Sequence, residues 1–173
     1  MKVFGMIGWS GSGKTTLIKG LIPELTGRGY SVSSMKHTHH DFDLDEPGKD
    51  SYEHRKAGAK QVLITGAKRW ALLTENLSNP EPMINDLLER MHPVDLVIVE
   101  GFKAYSHPKM EIFRPSVGKR LLAENDPTIA AIATDGDHIK ADVPILDLNN
   151  LQEITNFIIK YCKLAKREVN GST

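Results

Sequence analysis

Two rhythms of apolar and polar positions run along this chain, and each predicts a kind of element. Residues 2–7 form a short apolar run that ends at Gly8 and reads as a strand. Leu17, Ile18, Leu21, Ile22 and Leu25 then recur at helical spacing, with a kink expected at Pro23 and a stop at Gly29. Residues 30–36 predict a second strand, followed by a polar loop from His37 to Asp45. Asp50 as N-cap, with Glu53 three residues on, predicts a short helix closing at Gly58. Residues 61–65 and 69–75 are β-like runs around Gly66, the pattern of a hairpin. Met83, Ile84, Leu87, Leu88 and Met91 mark an amphipathic helix that His92-Pro93 stops. Residues 95–101 hold a continuous apolar run of the sort buried in a parallel sheet. Residues 109–114 and 128–133 read as two more strands. A last helix, about 150 to 166, carries Ile154, Phe157, Ile158 and Tyr161 on one face. Strands alternating with helices predict an α/β fold: a mostly parallel sheet flanked by helices in three layers, with a small β-hairpin extension. Such sheets bind ligands at the carboxyl ends of their strands.

Between the first strand and the first helix lies Gly8-Trp9-Ser10-Gly11-Ser12-Gly13-Lys14-Thr15-Thr16, which satisfies the phosphate-binding pattern G-x-x-x-x-G-K-[ST]. Loops of this kind surround nucleotide phosphates with backbone N–H groups, and the helix N-terminus adds a favourable field. Gly8, Ser10, Gly11, Ser12, Gly13, Lys14, Thr15 and Thr16 are therefore the expected phosphate-binding residues. Lys14 is expected to reach the β- and γ-phosphates, and the Thr15 hydroxyl to bind Mg²⁺. A Gly/Ser-rich linker would not run at once into Lys-Thr-Thr and an amphipathic helix.

The magnesium needs a second carboxylate, supplied from the end of a neighbouring strand. Asp95 and Glu100 flank the apolar run 95–101, roughly 16 Å apart at about 3.3 Å per residue. Only the one at the carboxyl end shares an edge with the P-loop, so Glu100 is chosen, with Gly101 leaving space beside it, and Asp95 is given no role. The loop from His37 to Asp45 sits after a strand, close to where phosphates should lie. His37, His39 and His40 could ligate a transition metal; Asp43 or another aspartate could orient Mg²⁺ or water; or the loop is simply solvated. Asp50 can cap its helix, and that helix end could also receive an anion. Lys103, Lys109 and Arg114 read first as solvated cations, with an anionic partner or substrate as the alternative. Lys160, Lys163, Lys166 and Arg167 suit the negative end of the last helix. Trp9 could stack on a ligand or pack in the core. Asp135, at the end of the strand 128–133, is a candidate reader of guanine, whose adjacent N–H donors match a carboxylate.

Composition narrows the setting. Across 173 residues, 22 basic and 22 acidic side chains cancel, which removes any net electrostatic case for a nucleic-acid or membrane partner. One cysteine, Cys162, rules out an intrachain disulfide and favours a reducing cytoplasm. No run approaches the roughly 18 apolar residues of a membrane span, and residues 1–7 are too short for a secretory signal. The expectation is one soluble, cytoplasmic domain.

The P-loop, the run Lys36-His37-Thr38-His39-His40-Asp41-Phe42-Asp43, then Pro47-Gly48-Lys49-Asp50-Ser51 with Arg55-Lys56-Ala57-Gly58-Ala59, and finally Val99-Glu100-Gly101-Phe102-Lys103 together resemble the molybdopterin-guanine dinucleotide biosynthesis protein B family. The resemblance spans nearly the whole chain in order, and the Lys-His-Thr-His-His and Pro-Gly-Lys-Asp-Ser blocks are more specific than the P-loop. It implies a homodimeric GTP-binding protein of the P-loop GTPase class, related to signal-recognition and dethiobiotin-synthetase-like enzymes. Its cofactor would be Mg²⁺, its hydrolysis weak, and its partner the guanylyltransferase that attaches GMP to molybdopterin. The guanine-reading Asn-Lys-x-Asp motif is absent, so guanine preference rests on the resemblance. The alternatives are a nucleotide-binding adaptor that does not hydrolyse and a small-molecule kinase, a class that closes an arginine-rich lid this sequence lacks.

Overall fold

The computed structural model describes residues 1–38, 42–77 and 80–165. The chain divides into two compact units, Met1–His37 with Met91–Thr173, and Thr38–Arg90.

The first unit is built on β1 (Lys2–Ile7), α1 (Lys14–Gly27), β2 (Val32–Lys36), β5 (Leu96–Glu100), β6 (Lys109–Phe113), β7 (Ile129–Thr134), β8 (Ile145–Asp147) and α4 (Leu151–Tyr161). Its six strands are ordered β2-β5-β1-β6-β7-β8, and every pairing is parallel. Period-2 alternation sends Phe4, Met6, Leu96, Ile98, Met110, Ile112, Ala131 and Ala133 to one face. There they join Leu17, Leu21 and Leu25 of α1 and Ile154 and Ile158 of α4 in one core. Val97 and Val99 are buried too, which is why β5 reads as unbroken apolar sequence.

The opposite face of β6 carries Lys109 and Glu111, both buried. Lys109 Nζ donates to the carbonyls of Lys103 and Tyr105, to Asp126 and to Thr128. The Glu111 carboxylate accepts the amides of Leu122 and Ala123. Burial raises the pKa of that carboxyl, and the two amides oppose the shift. These side chains tie the connections after β5 and β6 onto the sheet. Lys109 is thus an internal strut, not the solvated cation its sequence implied.

The second unit holds α2 (Asp50–Lys56), the antiparallel hairpin of β3 (Gln61–Thr65) and β4 (Trp70–Thr74), and α3 (Ile84–Leu88). The hairpin matches its sequence pattern. Arg55 is the centre of a charged network, donating to Asp43, Asp45 and Glu75. Hydrogen bonds from Arg55 hold the Asp45 carboxyl below its ordinary pKa.

Three boundaries differ from expectation. Lys49, not Asp50, is the N-cap of α2; Asp50 occupies the first turn, where the helix dipole favours a carboxylate. The expected helix through Met91 shrinks to the five residues of α3, which opens with Asp86 bonded back to the Met83 amide. The last helix ends at Tyr161, and Lys166 and Arg167 lie outside the described residues. Asn150 caps α4 as its side chain accepts the Glu153 amide. α1 continues through Pro23 to Gly27, and Gly29 follows in the left-handed region. β8 went unread because three residues are too few to set up a pattern. Burial pushes the Cys162 thiol up to about 11, as suits a packed rather than reactive cysteine.

Candidate phosphate and magnesium site

Parallel pairing brings the carboxyl ends of β2, β5, β1, β6 and β7 to one edge of the sheet. The register aligns Met6 with Glu100, and Glu100 with Lys36. The P-loop leaves β1 at that edge. Gly8 is buried with φ near 150°, and a Cβ there would come 2.4 Å from Ile112 O and 2.7 Å from Ser12 Oγ. Only glycine lets the loop lie this close to β6. Gly11 and Gly13 also have positive φ, and Gly13 is the N-cap of α1 without a side-chain cap. The first-turn amides thus have no side-chain cap, the arrangement that can receive an anion.

Lys14 folds over this loop, its Nζ donating to Gly8 O at 3.1 Å and Trp9 O at 3.0 Å. Burial holds its pKa below the ordinary lysine value; Lys103 and Lys36 push in the same direction, and Glu100 opposes them. Lys14 therefore feels two further ammonium groups, a field that a polyphosphate would relieve. Thr15 Oγ1 donates to Glu100 Oε1 at 3.3 Å. Hydroxyl and carboxylate oxygens are the hard donors Mg²⁺ takes, so the two residues chosen for magnesium stand together and suit it. Ser12 Oγ is buried with no hydrogen-bond partner among the described residues, an unsatisfied donor inside the loop.

His37 stays near the edge: its amide donates to Glu100 O, and its ring lies 4.6 Å from that of Phe102. Gly101 has φ near 92°, and a Cβ there would meet His37 Cβ at 3.1 Å, so its glycine serves His37 rather than Glu100. His39 and His40 lie outside the described residues. Asp43 and Asp50 belong to the second unit, where Asp43 pairs with Arg55. Among the described residues, no three His, Cys, Asp or Glu side chains are grouped to hold a metal ion. Asp95 marks the other end of β5, accepting the Ser31 amide and hydroxyl.

Trp9 is tied down by its indole N–H, which donates to Arg120 O at 2.9 Å, with Lys103 and Lys119 over its ring. Asp135 follows β7, where its carboxylate is paired with Arg114. Arg114, read from the sequence as a solvated cation with an anion as the alternative, instead donates its Nε to Ser12 O within the P-loop. The available signal was its place directly after β6, the strand beside β1. No helix among the described residues is long and apolar enough to cross a membrane.

Residues 3–135 match the protein-family model described as molybdopterin guanine dinucleotide synthesis protein B. A molybdopterin-guanine dinucleotide biosynthesis adapter protein of Escherichia coli (strain K12) is 44% identical over 158 residues, covering 88% of this chain and 89% of that protein. One from Haemophilus influenzae is 41% identical over 159 residues, covering 90% and 86%. A crystal structure titled molybdopterin-guanine biosynthesis protein B superposes with a TM-score of 0.71 at 24% identity, covering 92% of this chain and 99% of that one; this likeness concerns the fold. With the matched span running from the first strand to Asp135, and relatives above 40% identity over most of their length, the chain belongs to the molybdopterin guanine dinucleotide synthesis protein B family.

Proposed function

We propose that this protein is a GTP-binding accessory factor of molybdenum-cofactor biosynthesis, assisting the guanylyltransferase that attaches GMP to molybdopterin. The observation that carries the nucleotide reading is the convergence of Lys14 on the P-loop with the Thr15–Glu100 contact beside it. The P-loop amides and Lys14 would hold the phosphates, and Thr15 and Glu100 the Mg²⁺, which neutralises charge on the phosphate oxygens when bound. Asp135 would accept the guanine N–H donors with the oxygen that Arg114 leaves open. Hydrolysis is slow on this reading, because Arg114, the arginine bonded to the P-loop, is already held by Ser12 and Asp135 and does not neutralise charge at the γ-phosphate.

A reading in which nucleotide is held without turnover is favoured by the word adapter in the names of the relatives. Dimerisation follows from the family resemblance. Leu63 and Leu72, paired across the hairpin and 60% and 46% exposed, offer an apolar face for a second copy. Calorimetry with Mg–GTP and Mg–ATP, alongside phosphate release with and without the transferase, tests the set. Tighter GTP binding with slow release is expected; absence of release in both cases selects the adapter, and preference for ATP contradicts the guanine assignment.

A further inference from the structure

The guanidinium of Arg114 joins two loops that recognise different parts of a nucleotide on the proposed reading. Its Nε donates to Ser12 O at 3.1 Å, and its Nη1 donates to Asp135 Oδ2. The ion pair is partly exposed, 33% for Arg114 and 28% for Asp135, so solvent screening keeps its contribution to stability small. What it fixes is direction. In a trans peptide the carbonyl and the following N–H point opposite ways. Holding Ser12 O on Arg114 therefore turns the Gly13 N–H away from the guanidinium. An anion nest requires successive amides to converge, and this is one of them.

The neighbouring backbone leaves little freedom at either end. A Cβ on Gly13 would lie 3.4 Å from Arg114 Nε, so loop and guanidinium are already in contact. Pro115 follows Arg114 and presses on Gly136, which follows Asp135; a Cβ on Gly136 would come 2.3 Å from Pro115 Cγ. The Gly136 amide donates to Thr134 Oγ1, pinning the same turn.

We infer that Arg114 is a positioning residue that orients the Ser12–Gly13 peptide for phosphate, and that Asp135 acts on the phosphate nest through it. The inference rests on the P-loop reading and extends it: the carboxylate proposed to read the base also sets an amide that grips the phosphates.

Mg–tripolyphosphate, which carries no base, separates the two roles when titrated beside Mg–GTP. Arg114→Ala is expected to weaken both ligands by the same factor, about tenfold, the worth of one amide bond to an anion. Asp135→Asn should weaken tripolyphosphate as well, since it releases the guanidinium. Arg114→Lys should recover part of the loss, because one ammonium reaches only one of the two acceptors. The Gly13 amide resonance should move in Arg114→Ala and Asp135→Asn while the thermal midpoint stays near that of wild type. Unchanged tripolyphosphate affinity in both variants overturns the inference. So does an Asp135→Asn protein that loses GTP affinity alone, which would confine Asp135 to the base. Should wild type bind neither ligand, the P-loop reading fails instead, and the Gly13 resonance still reports on the peptide.

Discussion

Thr15 Oγ1 lies 3.3 Å from Glu100 Oε1, although 85 residues of chain separate them. Thr15 stands in the first turn of α1 and Glu100 ends β5, and the parallel register of β1 with β5 brings the two together. The contact is weak as a stabiliser, since both groups reach solvent. As an oxygen pair beside a lysine and a row of orphan amides, it is well placed for a divalent cation.

Glu100→Gln keeps the hydrogen bond to Thr15 and removes the charge. GTP affinity in the presence of Mg²⁺ is expected to fall about tenfold or more, about 1.4 kcal/mol, while affinity in EDTA stays nearly constant. Calorimetry with and without Mg²⁺ measures the difference; an unchanged Mg²⁺ dependence would assign the metal elsewhere.

Gly8→Ala pushes a methyl group toward Ile112 O and Ser12 Oγ, at 2.4 and 2.7 Å before relaxation. The loop must lift off β6, so stability should drop by about 1–3 kcal/mol and nucleotide affinity with it. Gly11→Ala, where nothing lies within 4 Å, tests backbone strain alone and should cost less. Urea titration of the two variants compares them.

Lys109→Met should lower stability by about 3 kcal/mol, because it strands the carbonyls of Lys103 and Tyr105 and leaves Asp126 without its ion pair. A neutral effect in urea denaturation would mean that the connections after β5 hold without the strut.

His107 supplies a pH dependence. Burial, helped by Lys109 and opposed by Asp126, lowers its pKa from 6.5 to about 4. Between those values the unfolded chain binds the proton and the folded chain does not, so stability rises with pH across this window. Roughly 2 kcal/mol of its contribution should be lost between pH 8 and pH 5. His107→Leu should flatten that part of the stability profile; an identical slope in both proteins would show that other groups govern it.

Local chemistry explains what the sequence disclosed. The P-loop is nine consecutive residues, so spacing alone places Lys14 and Thr15 on the first turn of a helix. β5 was legible because burial on both faces leaves an unbroken apolar run, and its direction identified Glu100 over Asp95. Lys109 and Arg114 were opaque for the opposite reason. A lysine inside a strand looks like a solvated cation until segments 103–105 and 126–128 close over it, and those contacts are tertiary. Arg114 acts on Ser12, 102 residues away, through the neighbour relation of β6 and β1 that no local pattern encodes. Asp50 and Lys49 differ by one position, a finer distinction than a sequence pattern makes at a helix end.

Titration of Lys14→Ala with Mg–GTP is the most direct test of a triphosphate held by this loop. The account predicts that binding falls below detection while the variant keeps the fold and midpoint of the parent. Wild-type GTP affinity in that variant would contradict it.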